Sequence, residues 1–235
     1  KPSSAASDVY KRQVLNYLYF PEIKHMNNSE LYNALTRFGE WYQLRINGES
    51  GKLMQDLQQF DNDWRPYNPR KIVNREGLSI TSLDGGLSGI PDLDSIYEYN
   101  IKNNTNLNEH SFKKKTPVYQ YCSGWLDFLG DNVSRTHFIR LHPGGYFPIH
   151  RDNKTIDIDS FRLFVPIKNC DYPDLTFVLD RQVLSFNEGW MYFLDTCKEH
   201  YLFNSSVSSV VTFMVVNVEL TESAVTSVLK NLRAG

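Results

Sequence analysis

The stretch THFIRLHPGG (Thr136–Gly145) opens the part of the chain that decides the fold. An alternating segment ends there at a Pro-Gly-Gly turn, and short β-type segments follow, separated by Pro, Gly, Asn and Asp about every ten residues. This pattern is typical of an antiparallel sandwich or barrel. No 10–15-residue helix alternates with these segments, which disfavours a Rossmann arrangement. The later segments are Phe161–Ile167, Leu175–Leu179, Gln182–Phe186, Trp190–Leu194 and Val207–Leu220.

The first 130 residues carry mainly helical and loop patterns. Apolar residues at i, i+3, i+4 and i+7 predict a helix that begins at Asn28 or Ser29 as N-cap. We expect further helices over 52–60, 94–100 and 125–129, and strands over 42–46 and 72–83, with a turn at Asn47-Gly48. The fold class is therefore mainly β with flanking helices (α+β). The apolar stripe consists of Leu31, Ala34, Leu35 and Phe38.

Composition and charge exclude several classes of protein. Of the 235 residues, 41% are hydrophobic, which argues against global disorder. Lysine and arginine total 25 against 27 acidic residues, so the net charge of −2 lacks the footprint of a general nucleic-acid binder. No apolar run approaches the roughly 20 residues that span a bilayer. Cys122, Cys170 and Cys197 fit a reducing compartment, and no signal segment is visible, so we expect a cytoplasmic protein.

The segment His150-Arg151-Asp152 carries the predicted chemistry. In an extended strand, residues i and i+2 point to the same face about 7 Å apart along the backbone. An imidazole and a carboxylate can then converge on one cation. A third ligand has to come from another strand, and His200 is the candidate. Two histidines and one carboxylate on one face leave open coordination positions, the geometry of non-heme iron(II) oxygenases.

Other interpretations of this segment stay open. An isolated His-x-Asp pair is weak evidence, since a structural histidine beside a solvated aspartate is common. Its context favours a metal site, because a turn precedes it, a β-rich region follows it, and a second histidine lies downstream. A zinc hydrolase would be supported by a His-Glu-x-x-His helix and a serine hydrolase by a Gly-x-Ser-x-Gly elbow, and neither motif is present.

At these residues the chain resembles the aspartyl/asparaginyl/proline β-hydroxylase family of 2-oxoglutarate- and iron(II)-dependent oxygenases, including its members from phages and environmental sequences. The resemblance implies a double-stranded β-helix, a jelly-roll and cupin-like barrel, at 131–222. Residues 14–130 would pack on this barrel in a single domain. We expect 1–13 to be disordered or artefactual and 223–235 to form a tail. The matching stretches are RLHPGGYFPIHRD (Arg140–Asp152), RLFVPI (Arg162–Ile167), FNEGW (Phe186–Trp190) and DTCKEHYLFN (Asp195–Asn204).

The resemblance also assigns roles to individual residues. It implies that His150, Asp152 and His200 bind iron(II), with 2-oxoglutarate as co-substrate and O2 as oxidant. Arg162 matches an arginine that helps to hold a 2-oxoglutarate carboxylate, which a planar and always charged guanidinium can bind bidentately.

Asp195 and Asn204 match positions beside the distal histidine. They either orient it or only shape the local turn.

The chain departs from the family at the co-substrate pocket. Many members carry a second arginine about ten residues after the distal histidine, where this chain has no cation over 208–212. A buried dicarboxylate without charge compensation is costly. Arg140 is the preferred substitute and Arg75 the next. Phe164 stands where some members carry a histidine, which predicts a more apolar pocket.

The implied activity is hydroxylation of a C–H bond in an amino acid, or in an Asp, Asn or Pro residue of a peptide or protein. We expect no nucleic-acid or membrane partner. Two alternatives remain: a non-catalytic β-barrel binding module, and a cupin-like metalloenzyme that does not use 2-oxoglutarate. Four aromatic residues could line a substrate mouth, although aromatic residues at this density more often belong to the core: Trp64, Tyr67, Tyr119 and Tyr121.

Overall fold

A computed structural model describes residues 25–67, 74–152 and 158–233. The predicted segment 1–13 lies outside these residues. The helices are α1 (Asn28–Thr36), α2 (Ser50–Asp56), α3 (Ile96–Asn103), α4 (Tyr119–Leu126) and α5 (Glu222–Lys230). The strands are β1 (Trp41–Asn47), β2 (Arg65–Pro66), β3 (Arg75–Ser79), β4 (Thr81–Ser82), β5 (Lys114–Lys115), β6 (His137–Leu141), β7 (Tyr146–His150), β8 (Ser160–Lys168), β9 (Leu175–Leu179), β10 (Gln182–Leu184), β11 (Trp190–Leu194), β12 (His200–Asn204) and β13 (Val211–Glu219).

Two antiparallel sheets dominate the described part of the chain. The larger sheet has the strand order β1-β11-β8-β13-β6-β3-β2, the smaller one has β10-β9-β12-β7, and β4 pairs with β5. From β6 onward the chain passes back and forth between the two main sheets. The prediction of a mainly β fold with helices is confirmed. In the described residues no strand pairs from one main sheet to the other, so the predicted jelly-roll barrel is observed as two facing sheets that are not closed by hydrogen bonds.

Alternation along the strands builds a layer on each face of the larger sheet. On β6, Phe138 packs with the helices, while Ile139 and Leu141 pack towards the smaller sheet. On β8, Leu163 and Phe164 divide in the same way. This period of two follows from the pleat of an extended chain. The larger sheet therefore lies between a helical layer and the smaller sheet.

In the N-terminal part, the start of α1 and the turn at Asn47-Gly48 differ from the prediction. Helix α1 begins one residue earlier than expected, because the Asn27 side chain accepts the Glu30 backbone N–H and Glu30 accepts the Asn27 N–H in return. The Asn47-Gly48 pair does not close a hairpin, because β1 pairs with β11 far along the chain. The space of a Gly48 side chain is occupied by the Trp125 ring.

None of the helices in the three described ranges has the length and apolar character needed to cross a membrane. Cys122, Cys170 and Cys197 form no disulfide within the described residues.

Candidate metal centre

Strand pairing brings two distant histidines side by side. His150 ends β7 and His200 begins β12, and the two residues face each other in the antiparallel register. Their ring centroids lie 4.2 Å apart. Asp152 follows His150 by two residues, and its backbone N–H donates to the Thr196 carbonyl at 3.0 Å. The turn before β12 therefore holds the carboxylate next to both imidazoles.

The donor atoms of these three side chains form a cluster that could hold one metal ion. One ligand atom from each of His150, Asp152 and His200 lies within 4.8 Å of the others. The two Nε2 atoms lie 3.5 and 3.9 Å from the Asp152 oxygens. The cluster has the ligand types of a facial two-histidine, one-carboxylate site.

Backbone carbonyls orient both imidazoles for metal binding. His150 Nδ1 lies 2.7 Å from the Pro148 carbonyl oxygen, and His200 Nδ1 lies 3.0 Å from that of Lys198. A carbonyl accepts only a donor, so we assign the ring proton to Nδ1 in each case. The lone pair of each neutral ring is then on Nε2, the atom that faces Asp152. Such second hydrogen bonds fix the tautomer of metal-binding histidines.

The electrostatics of the cluster favour an ionised carboxylate. Burial raises the pKa of Asp152, but the Arg162 guanidinium and the two imidazoles outweigh it, and the net pKa lies well below its usual range. Burial lowers the pKa of His200, despite the nearby carboxylate. For His150 burial also lowers the pKa, but Asp152 outweighs this effect and the net pKa is raised.

Arg162 faces the same cluster from β8. Its Nε donates to Asp152 Oδ2, and the exposed fractions of the two side chains are 22% and 13%. The Arg162 Nη1 atom is buried, and no residue in the described part of the chain accepts a hydrogen bond from it. This nitrogen is therefore available to a carboxylate next to the metal ligands, as the sequence resemblance implies for Arg162.

The cluster opens into a cavity between the two main sheets, with an accessible volume of about 110 Å³. One wall is polar and includes Glu109, Arg135, His137 and Asn217. The rest of the lining beyond the metal ligands and Arg162 is mainly apolar: Tyr67, Ile139, Phe147, Leu163, Phe164, Phe177, Leu194, Thr196, Leu202, Phe213 and Val215.

The polar wall was not found from the sequence. Arg135 donates to Glu109 and to the Asp92 and Asp94 carbonyls, so its charge is already paired. His137 is 3% exposed, and neither ring nitrogen has a partner. Burial and two nearby arginines hold the pKa of His137 well below its usual range. The sequence feature that pointed to His137 was the alternation over 136–141, which places residue 137 on the same strand face as Ile139.

The two substitute arginines lie outside the cavity lining. Arg140 is on the opposite face of β6, stacked on Trp64 at 3.8 Å and paired with Asp61 at 3.1 Å. This placement corrects the expectation that Arg140 binds the co-substrate, because strand alternation turns it towards the helical layer. Arg75 packs against Phe147, a residue of the cavity lining. The Arg75 guanidinium lies 4.0 Å from the Phe147 ring centroid, and its Nη1 donates to the Tyr146 carbonyl.

The residues expected to support the distal histidine do not contact it. Asp195 accepts from the Tyr32 hydroxyl at 2.7 Å and from the Cys197 N–H at 3.3 Å. Asn204 lies at the other end of β12, where its amide donates to the Leu141 and Ser209 carbonyls at 2.8 Å. Both side chains therefore shape local turns, the second of the two roles considered for them. The His200 ring is oriented by the Lys198 carbonyl oxygen instead.

Among the four aromatic candidates for a mouth, Tyr67 lines the cavity. Its ring lies 5.0 Å from the His137 ring and 5.7 Å from the Phe147 ring. Trp64 supports Arg140, while Tyr119 and Tyr121 pack in or against the core under the helices. The explanation as core thus holds for most of this set.

Comparison with known proteins identifies the class of fold. No protein-family model and no curated protein matches the chain. The crystal structure of HygX from Streptomyces hygroscopicus with nickel and 2-oxoglutarate bound is similar, with a TM-score of 0.50 and 8% identity over 83% of this chain and 87% of that chain. The chain therefore shares the overall fold of HygX.

Two further structures match the chain with lower TM-scores. A Pseudomonas putida prolyl-4-hydroxylase has a TM-score of 0.45 and 12% identity, covering 83% of this chain and 98% of that one. A predicted oxalate decarboxylase from Thermotoga maritima has a TM-score of 0.29 and 15% identity, covering 38% and 69%.

Proposed function

We propose that this protein is a mononuclear iron(II) oxygenase that consumes a 2-oxo acid, and that it hydroxylates a C–H bond of its substrate. The observation that carries the proposal is the convergence of His150, Asp152 and His200 at the mouth of a cavity that also holds the unpartnered Arg162 nitrogen. In the overall reaction, a 2-oxo acid, O2 and R–H give a carboxylic acid one carbon shorter, CO2 and R–OH. The sequence resemblance implies that the 2-oxo acid is 2-oxoglutarate.

The donor set fits iron(II). The imidazole Nε2 atoms of His150 and His200 and the Asp152 carboxylate would hold the ion, which supplies the activation of O2 when it is bound. Arg162 would bind a carboxylate of the 2-oxo acid, and the apolar sheet faces exclude water from the reacting groups. The Lys198 and Pro148 carbonyls keep each ring in the tautomer that exposes Nε2 to the ion.

The substrate side of the proposal rests on the sequence resemblance. The substrate would be a small-molecule amino acid, or an Asp, Asn or Pro residue of a peptide or protein, as in the aspartyl/asparaginyl/proline β-hydroxylases. A cytoplasmic location is part of the same proposal, and the free cysteines support it.

A cupin-like metalloenzyme that does not use 2-oxoglutarate is the second candidate. It is favoured by one observation, the position of Arg140 outside the cavity. The non-catalytic binding module is supported less, because it gives no reason for three metal-type ligands from separate strands to converge.

Metal titration and turnover test the proposal. We expect one iron(II) or cobalt(II) per chain, and O2 uptake that requires both iron and a 2-oxo acid. His150→Ala and Asp152→Ala should lose metal binding and 2-oxo acid consumption. His142→Ala is the matched control, since His142 pairs with Glu76 at the surface. Wild-type turnover in His150→Ala would remove the basis of the proposal.

A further inference from the structure

The charges that line the cavity are almost all paired within the chain. Arg135 donates from all three side-chain nitrogens to Glu109 and two backbone carbonyls. Arg162 donates from Nε to Asp152, and its buried Nη1 has no hydrogen-bond partner among the described residues. This nitrogen is therefore available to a carboxylate beside the metal ligands. In the described lining, the cationic groups that remain available can therefore bind one carboxylate of a ligand, next to the metal ligands.

Beyond Arg162 along β8 the cavity lining is mainly apolar. Phe164 follows Arg162 by two residues on the same face of β8, which places it about 7 Å further along the strand. Its ring lies 5.1 Å from that of Phe213 and 5.4 Å from that of Phe177. The register continues this lining onto the neighbouring strand, where Val215 pairs with Phe164.

Among the residues that line the cavity, His137 is the polar one that the register places at the depth of Phe164 and Val215. Its buried ring has no hydrogen-bond partner among the described residues, and the low pKa of this group keeps it uncharged at neutral pH. A neutral imidazole can donate one hydrogen bond, but it does not compensate the charge of a carboxylate. A second carboxylate at this depth would be desolvated without a counter-charge, which is costly.

We propose that the 2-oxo acid bound by this cavity has an uncharged, apolar side chain, aryl or branched alkyl, and that 2-oxoglutarate is disfavoured. This inference rests on the proposed function and narrows its co-substrate. Arg162 binds the single carboxylate next to the metal ligands. The side chain of the 2-oxo acid packs among Phe164, Phe177 and Phe213, where it removes apolar surface from water.

Binding to the cobalt(II)-loaded protein without oxygen tests the inference independently of turnover. The panel is pyruvate, 4-methyl-2-oxopentanoate, phenylpyruvate and 2-oxoglutarate, which share one head group. Calorimetry gives each Kd, and the visible cobalt(II) spectrum reports binding at the metal. We expect an apolar side chain to improve affinity over pyruvate by about tenfold or more. We expect 2-oxoglutarate to bind more weakly than 4-methyl-2-oxopentanoate.

A variant reverses the predicted preference. Phe213→Arg places a cation at the apolar end and should strengthen 2-oxoglutarate binding relative to 4-methyl-2-oxopentanoate. Phe203→Arg is the control, because Phe203 is 40% exposed and lies outside the cavity lining. Circular dichroism establishes that each variant is folded, and the wild-type panel decides the question if Phe213→Arg does not fold.

The outcomes separate this inference from the proposed function. Tightest binding of 2-oxoglutarate to the wild-type protein overturns the inference and leaves the proposed function standing. Failure of every 2-oxo acid to change the cobalt(II) spectrum overturns both.

Discussion

The ion pair between Arg162 and Asp152 allows a sharp test of the site without any catalysis. Arg162→Met keeps an unbranched side chain as far as the position of Nε and removes the charged end of the guanidinium. In the metal-free protein, the Asp152 carboxylate then stays buried with its main counter-charge gone. Breaking a buried pair costs about 3–5 kcal/mol. Because the two side chains are 22% and 13% exposed, solvent screening should bring the loss below this range, to about 2–3 kcal/mol.

Urea unfolding with EDTA at pH 7 measures this loss. With an m-value of about 2 kcal/mol/M, the midpoint should fall by roughly 1 M. Added zinc(II) should narrow the difference from wild type, because the ion replaces the guanidinium as the counter-charge of Asp152. The difference should also shrink as pH falls below the ordinary aspartate pKa of about 4, since the pKa of Asp152 is depressed in the folded wild type and its stabilisation, complete above that pH, is lost as the carboxylate is protonated below it.

Arg151→Met is the matched control for this experiment. Arg151 is adjacent in sequence and pairs with Glu199, but both side chains are more than half exposed. A surface pair of this kind contributes about 0–1 kcal/mol. Equal losses in the Arg151→Met and Arg162→Met variants would refute the assignment of Arg162 as the buried counter-charge of Asp152.

Three further changes test the fold around the site. Gly189→Ala should destabilise by about 2 kcal/mol or more in urea unfolding, because Gly189 has φ +78° and an added Cβ would collide with the Gly48 carbonyl oxygen. Burial raises the pKa of Asp92 to about 6. The folded protein therefore loses stability as pH rises from about 4 to 6, because the unfolded state ionises this carboxyl first. Asp92→Asn should flatten the pH dependence of the free energy of unfolding over that range. Thr221→Ala should lower the melting temperature through about 1 kcal/mol of lost N-cap stabilisation, because Thr221 accepts the Ala224 N–H at 3.1 Å.

The β segments of the second half were predictable because their signal is local. Strands β9 and β11 match their predicted bounds, and β8 extends the predicted one by a residue at each end. Alternation with a period of two is a property of the extended chain itself, and turn residues mark where it stops. The expected strand over 207–220 is shorter, Val211–Glu219, because pairing with β6 and β8 sets its ends.

The metal-type cluster was predictable in part. The spacing of His150 and Asp152 is a local feature, and it indicated one shared face. The choice of His200 rested on a spacing and a resemblance, whereas its position follows from the register of β12 against β7. The arrangement of the other residues around it could not be read from sequence neighbours. Asp195 is near His200 in sequence, yet its carboxylate turns to Tyr32, 163 residues away.

Local order along the chain was enough to determine the β-rich class, the strand segments and the donor types of the candidate site. The tertiary structure alone decided which face of each strand meets the cavity, and so removed Arg140 and brought in His137, Arg135 and Glu109. The physical reason is that an alternating pattern defines two faces without saying which one is covered by the second sheet. That choice depends on strand pairings between residues far apart in the chain. The entropic cost of closing the long loops between them is offset only by the contacts of the complete fold.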